Sequence, residues 1–330
     1  MKQEQFELRY QDFWSHFELL ISGLDSKNGI DEDRQAVSDL GQFSSAYRRV
    51  CNHLAIAKKR RYSARIINRL NYMVMKGHQH LYQRKTAFLF QAIQFVLAEF
   101  PCCLRRNAFV FWVATAIFYL PAILMFALVL LNPELIYSVL SSMQLTEYEA
   151  MYDPVLDKIG RERQSDTDLA MFGYYIYNNI GIAFQTFASG LLLAVGAIFY
   201  LVFNGVLIGS LAAHIVSINY EVTFFPFIVG HASFELTAIT IAGAAGIKLG
   251  LSVLSPKNLS RLASLRQASE ESIKLIIGAA IMLLFAAFIE AYWSSINSLA
   301  PMIKYSVGAV LWALVCFYLA FAGKGSRFES

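Results

Sequence analysis

The feature that most constrains this chain is a series of apolar stretches, beginning near residue 107, that match the thickness of a bilayer. A helix rises 1.5 Å per residue, so about 20 apolar residues cross the hydrocarbon core. Residues 107–131, 226–254, 273–293 and 302–322 each meet that length. Residues 180–218 form a stretch too long for one crossing, interrupted by Asn204 and Gly205, which predicts two spans joined by a tight turn there. The composition agrees: 56% hydrophobic and 16% charged residues exclude an ordinary soluble domain. The expectation is an all-α polytopic membrane protein with about six transmembrane helices.

Loop charges orient it. Arg105 and Arg106 precede the first span, Lys257, Arg261 and Arg266 lie in the loop 255–272, and Lys324 and Arg327 follow the last span. The positive-inside rule places all of these, and both termini, in the cytoplasm. Residues 132–172 then form the extracytoplasmic loop, expected as short helices over the membrane. Lys158, Arg161 and Arg163 run against the rule there, partly offset by acidic neighbours.

One span stands apart. Residues 226–250, PFIVGHASFELTAITIAGAAGIKLG, hold His231 and Glu235 four residues apart, on one helical face. Ala238, Ala242, Ala245 and Gly246 continue that face with side chains small enough for another helix to approach. An ionisable group at membrane depth is expensive and is directed at a partner or an aqueous cavity. Asn178 and Asn179, on the same outer side, supply amides able to hydrogen-bond a carboxylate, so His231, Glu235, Asn178 and Asn179 form the expected intramembrane polar cluster. Gly205, Gly209, Gly243, Gly246 and Gly250 read as helix-packing positions. Glu290 and Lys304 are expected as an interfacial ion pair, His214 as a packing residue, and Lys248 as a side chain reaching the inner surface.

Residues 1–106 are expected as a cytoplasmic helical domain, with residues 107–330 as the transmembrane domain. Phe6, Tyr10, Phe13, Phe17 and Leu20 recur at helical spacing, two further helices are predicted over 32–58 and 64–84, and residues 87–100 read as an interfacial helix. The basic run KKRRYSAR at 58–65 reads as a solvated helix end, and a net charge of +4 gives no broad support for nucleic-acid binding. The four cysteines show neither metal-ligand nor disulfide-framework spacing and are expected as free thiols.

No phosphate-binding loop, Gly-x-Ser-x-Gly elbow or His-Glu-x-x-His occurs, so neither enzyme activity nor a catalytic residue is expected. No cofactor and no metal are expected, because a third ligand beside His231 and Glu235 is not evident in the sequence.

The run YNNIGIAFQTFASGLLLAVGAIFYLVFNGVLIGSLAAHI, 177–215, followed by GHASFELTAITIAGAAGIKLG, 230–250, resembles the core of the stage II sporulation protein M family. The shared pattern is a paired Asn, a glycine-punctuated helix, Phe-Asn-Gly, and a His with a Glu four residues on. Upstream, YRRVCNHLA, LNYMVMKGHQHLY and FPCCLRRN are similar to the cytoplasmic region of its longer bacterial members. Where such members often have His-Gly, this chain has His231-Ala232. The resemblance implies a bacterial inner-membrane protein. The founding member takes part in engulfment during sporulation, with partners that degrade peptidoglycan.

Two functions remain open at this stage. One is a non-enzymatic membrane scaffold or subunit of a cell-envelope complex, with membrane lipids, envelope or cytoplasmic proteins and a second copy of itself as partners. The other is a permease-like transporter whose path runs through the His/Glu/Asn site.

Overall fold

The computed structural model of the chain describes residues 2–26, 35–155, 168–256, 259–296, 298–326 and 328. Of the residues invoked for the topology, Lys158, Arg161, Arg163, Lys257 and Arg327 lie outside these. Within them the chain is helical, and it forms two compact units, Met1–Ile93 and Gln94–Ser330.

The first unit holds α1 (Gln3–Ser26), α2 (Gln35–Lys59) and most of α3 (Ala64–Gln94). Its core is aromatic: Phe6, Trp14 and Phe17 of α1 close on Val50, Leu54 and Ala57 of α2 and on Leu70 and Met73 of α3. Their three- and four-residue spacing puts them on one stripe per helix. Buried polar atoms are paired, the Trp14 indole donating to His53 Nδ1 at 3.1 Å. Arg69 holds both Glu18 oxygens, at 2.8 and 2.7 Å. At the turn after α2, the Ser63 amide donates to the Gln3 side chain at 2.9 Å, tying the basic run to the start of α1.

The second unit begins at Gln94, earlier than the expected division at 106/107. Helical structure continues through a π-helical turn (Phe95–Glu99) into α4 (Phe100–Arg106), and Phe100, Cys103 and Leu104 join the core of the bundle beside Ala242, Leu275 and Val315. Burying those side chains removes apolar surface from water or headgroups, whereas Leu89, Phe90, Ile93 and Leu97, in the stretch expected at the interface, are exposed.

Five helices are long and apolar enough to cross a membrane: α5 (Ala108–Leu131), α8 (Val195–Ser217), α10 (Ala232–Leu254), α11 (Arg261–Ile289, continuing as a π-helical turn Glu290–Ser294) and α12 (Pro301–Phe321). A sixth long helix, α7 (Asp168–Ser189), is more polar and packs alongside α8, α10 and α11. Its Tyr175 packs on Ala287 and Ala291 near the end of α11, and Gly190, just past its C-terminus, meets Gly246 near the end of α10. Between α5 and α7 lie a 3₁₀ turn (Pro133–Ser138) and α6 (Ser142–Tyr152), whose Ser141 and Gln144 form a capping box. A short helix, α9 (Glu221–Ile228), precedes α10.

Three sequence expectations are corrected here. The turn in the double-length stretch lies at 190–194, whereas Asn204 and Gly205 sit inside α8. A glycine marks close packing as readily as a turn: a Cβ on Gly205 would stand 2.2 Å from the Phe118 carbonyl oxygen of α5. The reversal itself uses positive φ at Leu193 and Ala194, 54° and 68°. The stretch 226–250 is not one helix, because α9 ends at Ile228 and α10 starts at Ala232. Finally, the supposed loop 255–272 is largely the first three turns of α11.

The hub of the second unit is α10. In its most apolar window 72% of residues are buried, against 17% for α5 and 22% for α12. Small residues account for this. Gly246 sits under the Phe187 carbonyl, Gly243 under Leu201, and Gly250 under the Ala194 amide. The rim faces outward with Phe109, Trp112, Leu120, Phe285, Phe288 and Phe317, all exposed, as lipid-facing side chains are.

Candidate functional site

The break at 229–231 leaves His231 as the residue immediately before α10 and Glu235 in its first turn. The imidazole is buried at 5% exposure. Its Nδ1 lies 3.1 Å from Ser294 Oγ, and its Nε2 lies 3.9 Å from Glu235 Oε2, beyond hydrogen-bond length.

Ser294 and Glu290 come from the π-helical turn at the end of α11. Such a turn carries one extra residue per hydrogen-bonded ring, and it is a recurrent device at functional sites because it re-aims side chains. Here it brings Glu290 to the pair: one ligand-type atom from each of His231, Glu235 and Glu290 lies within 4.8 Å of the other two. The approach of this turn to the break depends on Gly230, where a Cβ would meet the Trp293 ring at 2.6 Å.

The loop between α5 and α7 contributes a further wall. Tyr152 of α6 is buried against Phe224 and Phe227 of α9, and its phenol is pushed well above its ordinary pKa by burial and then by the charges of Glu290 and Glu235. The same helix is fastened by Glu149, whose carboxylate lies 2.8 Å from His214 Nε2. His214, read from the sequence as a packing residue, is thus one half of a polar pair between α8 and α6.

The predicted members of the cluster divide into two groups. His231 and Glu235 come together as the four-residue spacing requires. Asn178 and Asn179 do not hydrogen-bond Glu235; Asn178 donates to Asn179 at 3.0 Å, and the buried Asn179 Nδ2 has no hydrogen-bond partner among the described residues. Glu290 joins the histidine, while the Lys304 ammonium, only 2% exposed, donates to the Ser294 carbonyl oxygen at 2.8 Å.

A second polar cluster lies at the opposite end of α10. Lys248 contacts Glu271 of α11 directly and Asn107 Oδ1 at 2.5 Å, and Asn107 Nδ2 donates to Glu271 Oε2 at 3.0 Å. Arg106 adds a longer contact to Glu271, 3.8 Å. Lys274 pairs with Glu99 at 2.6 Å nearby. Lys248 was expected merely to reach the inner surface; its actual partner sits in the segment read as a loop.

Five helices long and apolar enough to cross a membrane, one of them the buried α10, pack with α7 into a bundle that gathers ionisable side chains at both ends of α10, and this defines a multi-pass integral membrane protein of the all-α class. Within that class the assignment is specific. Residues 108–295 match the family model of stage II sporulation protein M, more than half of the chain, and the chain belongs to that family. Residues 4–83 match a domain of unknown function, DUF8413. No curated protein and no solved structure matches the chain.

Proposed function

We propose that this protein is a non-enzymatic scaffold or subunit of a bacterial cell-envelope complex in the cytoplasmic membrane, with both termini in the cytoplasm. The observation that carries this reading is the solidity of α10. Every residue from Ala238 to Ile247 is buried, and the single hydroxyl among them, on Thr240, is bonded to the Thr237 carbonyl at 2.8 Å. A transport path along this helix needs polar groups or water between its two charged ends. Ten consecutive buried, nearly all apolar residues supply neither. The hub thus holds the bundle together, and the first unit and the α6 loop remain as surfaces for cytoplasmic and extracytoplasmic partners.

A second copy of the chain is a further partner in this reading. The glycine faces that suggested it, Gly205, Gly209, Gly243, Gly246 and Gly250, are all covered within the chain. A homodimer therefore has to use the lipid-facing rim or the first unit.

The test has two arms. The full chain in proteoliposomes is expected to pass neither protons nor monovalent cations above empty vesicles. Cross-linking in native membranes is expected to recover an envelope protein in fixed ratio to the chain. A flux abolished by Glu235→Gln, with the protein still folded, would overturn the scaffold reading in favour of a permease.

A further inference from the structure

Two carboxylates and an imidazole gathered within 4.8 Å, with His231 and Glu290 buried, need a cation or shared protons to persist. We propose that His231, Glu235 and Glu290 form a binding site for one divalent transition-metal ion of the zinc type, clamping the first turn of α10 to the π-helical turn that ends α11.

Three features point to an ion. The first is the ligand set. An imidazole nitrogen with two carboxylates suits zinc and its first-row neighbours and is unsuited to magnesium or calcium, which prefer all-oxygen shells. The second is the state of the imidazole. Metal-bound histidines direct the second ring nitrogen to a hydrogen-bond partner, which fixes the tautomer and aims the first nitrogen at the ion. His231 has this arrangement: Nδ1 is engaged by Ser294 Oγ, and Nε2 faces Glu235 at a distance too long for a hydrogen bond. The third is reach. Donors around a tetrahedral zinc stand about 3.3 Å apart, given bonds of about 2.0–2.1 Å. The three donor atoms, within 4.8 Å of one another, leave about 1.5 Å at most for side-chain rotation to close.

Charge agrees. Three ligands with two ionised carboxylates carry −2, and the Lys304 ammonium, held by the Ser294 carbonyl, offsets one charge at most. A divalent ion offsets both. The Glu235 side chain is 21% exposed, so the site is reachable from outside the packed core, while His231 behind it is closed off. Three protein ligands leave a fourth position for water or for a group from a partner.

The full chain, chelator-stripped in lipid nanodiscs, is the material for the test, with Zn2+ uptake followed by titration and elemental analysis. One equivalent is expected to bind and to raise the melting temperature. Ser294→Ala, which removes only the partner of Nδ1, is expected to weaken binding roughly 10–100-fold. Glu290→Gln is expected to weaken it at least as much, whereas Glu149→Gln, at the other His–Glu pair, is expected to leave it unchanged. A stripped wild-type protein that keeps its circular dichroism and takes up no Zn2+ would show that the cluster holds protons and would overturn the proposal. Equal binding by Glu290→Gln and wild type would do the same. If Glu290→Gln does not fold, Cu2+ paramagnetic resonance on the wild type decides: coupling to an imidazole nitrogen is expected, and its absence overturns the site.

Discussion

The Ala194 amide nitrogen occupies the space that a side chain on Gly250 would need, 1.9 Å from an ideal Cβ position. The turn between α7 and α8 therefore rests directly on the backbone of α10. Gly250→Ala is expected to force these segments apart and to cost about 1–3 kcal/mol or more, the usual range for overpacking. Gly181→Ala, on α7 with nothing within 4 Å, is the matched control; it is expected to be neutral or slightly stabilising, since alanine is the better helix former. Melting temperatures of the two variants in the same detergent check both expectations.

Glu271 is approached by Lys248, Asn107 and Arg106, so one carboxylate joins α10, α11 and the start of α5. Removing it strands a half-buried ammonium. Glu271→Leu is expected to cost about 3–5 kcal/mol at the upper end, less to the extent that water reaches Lys248, and Glu271→Leu with Lys248→Met is expected to recover much of that loss. A double-mutant cycle on unfolding measures the coupling, and additivity of the two changes would show that the contact contributes nothing.

The first unit is expected to loosen in acid. His53 has its pKa lowered from the ordinary 6.5 by burial and then by the charge of Arg49, so the unfolded chain takes up its proton first as pH falls. Stability is accordingly full above about 6.5 and declines below it. Glu18 is lowered by its hydrogen bond to Arg69, and its contribution, present above the ordinary 4.5, is lost only at more acidic pH. Hydrogen exchange of residues 3–22 in the full chain is expected to quicken between pH 7.5 and 5.5. His53→Gln, which keeps an acceptor for the Trp14 indole, is expected to flatten that dependence.

Orientation is open to labelling. Met143 on α6 is 85% exposed, and Gln267 on α11 is exposed as well. In a chain with Cys316→Ser, an impermeant thiol reagent applied outside cells is expected to modify Met143→Cys and to spare Gln267→Cys. The reverse pattern would invert the proposed topology.

What the sequence made legible follows from the reach of each interaction. Long apolar runs and the four-residue spacing of His231 and Glu235 are local patterns, so the membrane class and half of the cluster around His231 were readable. Glu290 and Ser294 were not, because a π-helical turn aims them and nothing in EAYWS signals one. Lys248 looked like a lone surface-seeking cation because its partner Glu271 is set by helix pairing. The turn at 190–194 was hidden for a further reason: its positive-φ residues are Leu193 and Ala194, types that normally avoid that conformation. Gly205 offered a false signal in its place.

The connection at 190–194 ties the fate of a polar helix to that of an apolar one. Stretched fully, its five residues reach about 17 Å, well short of the roughly 30 Å hydrocarbon thickness. α8 is apolar enough to be taken up by the insertion machinery unaided. α7, with Asn178, Asn179, Gln185 and Thr186, is a poor passenger alone. A connection this short suits the two to partition as a single hairpin, in which the apolar neighbour offsets the cost of admitting the asparagines.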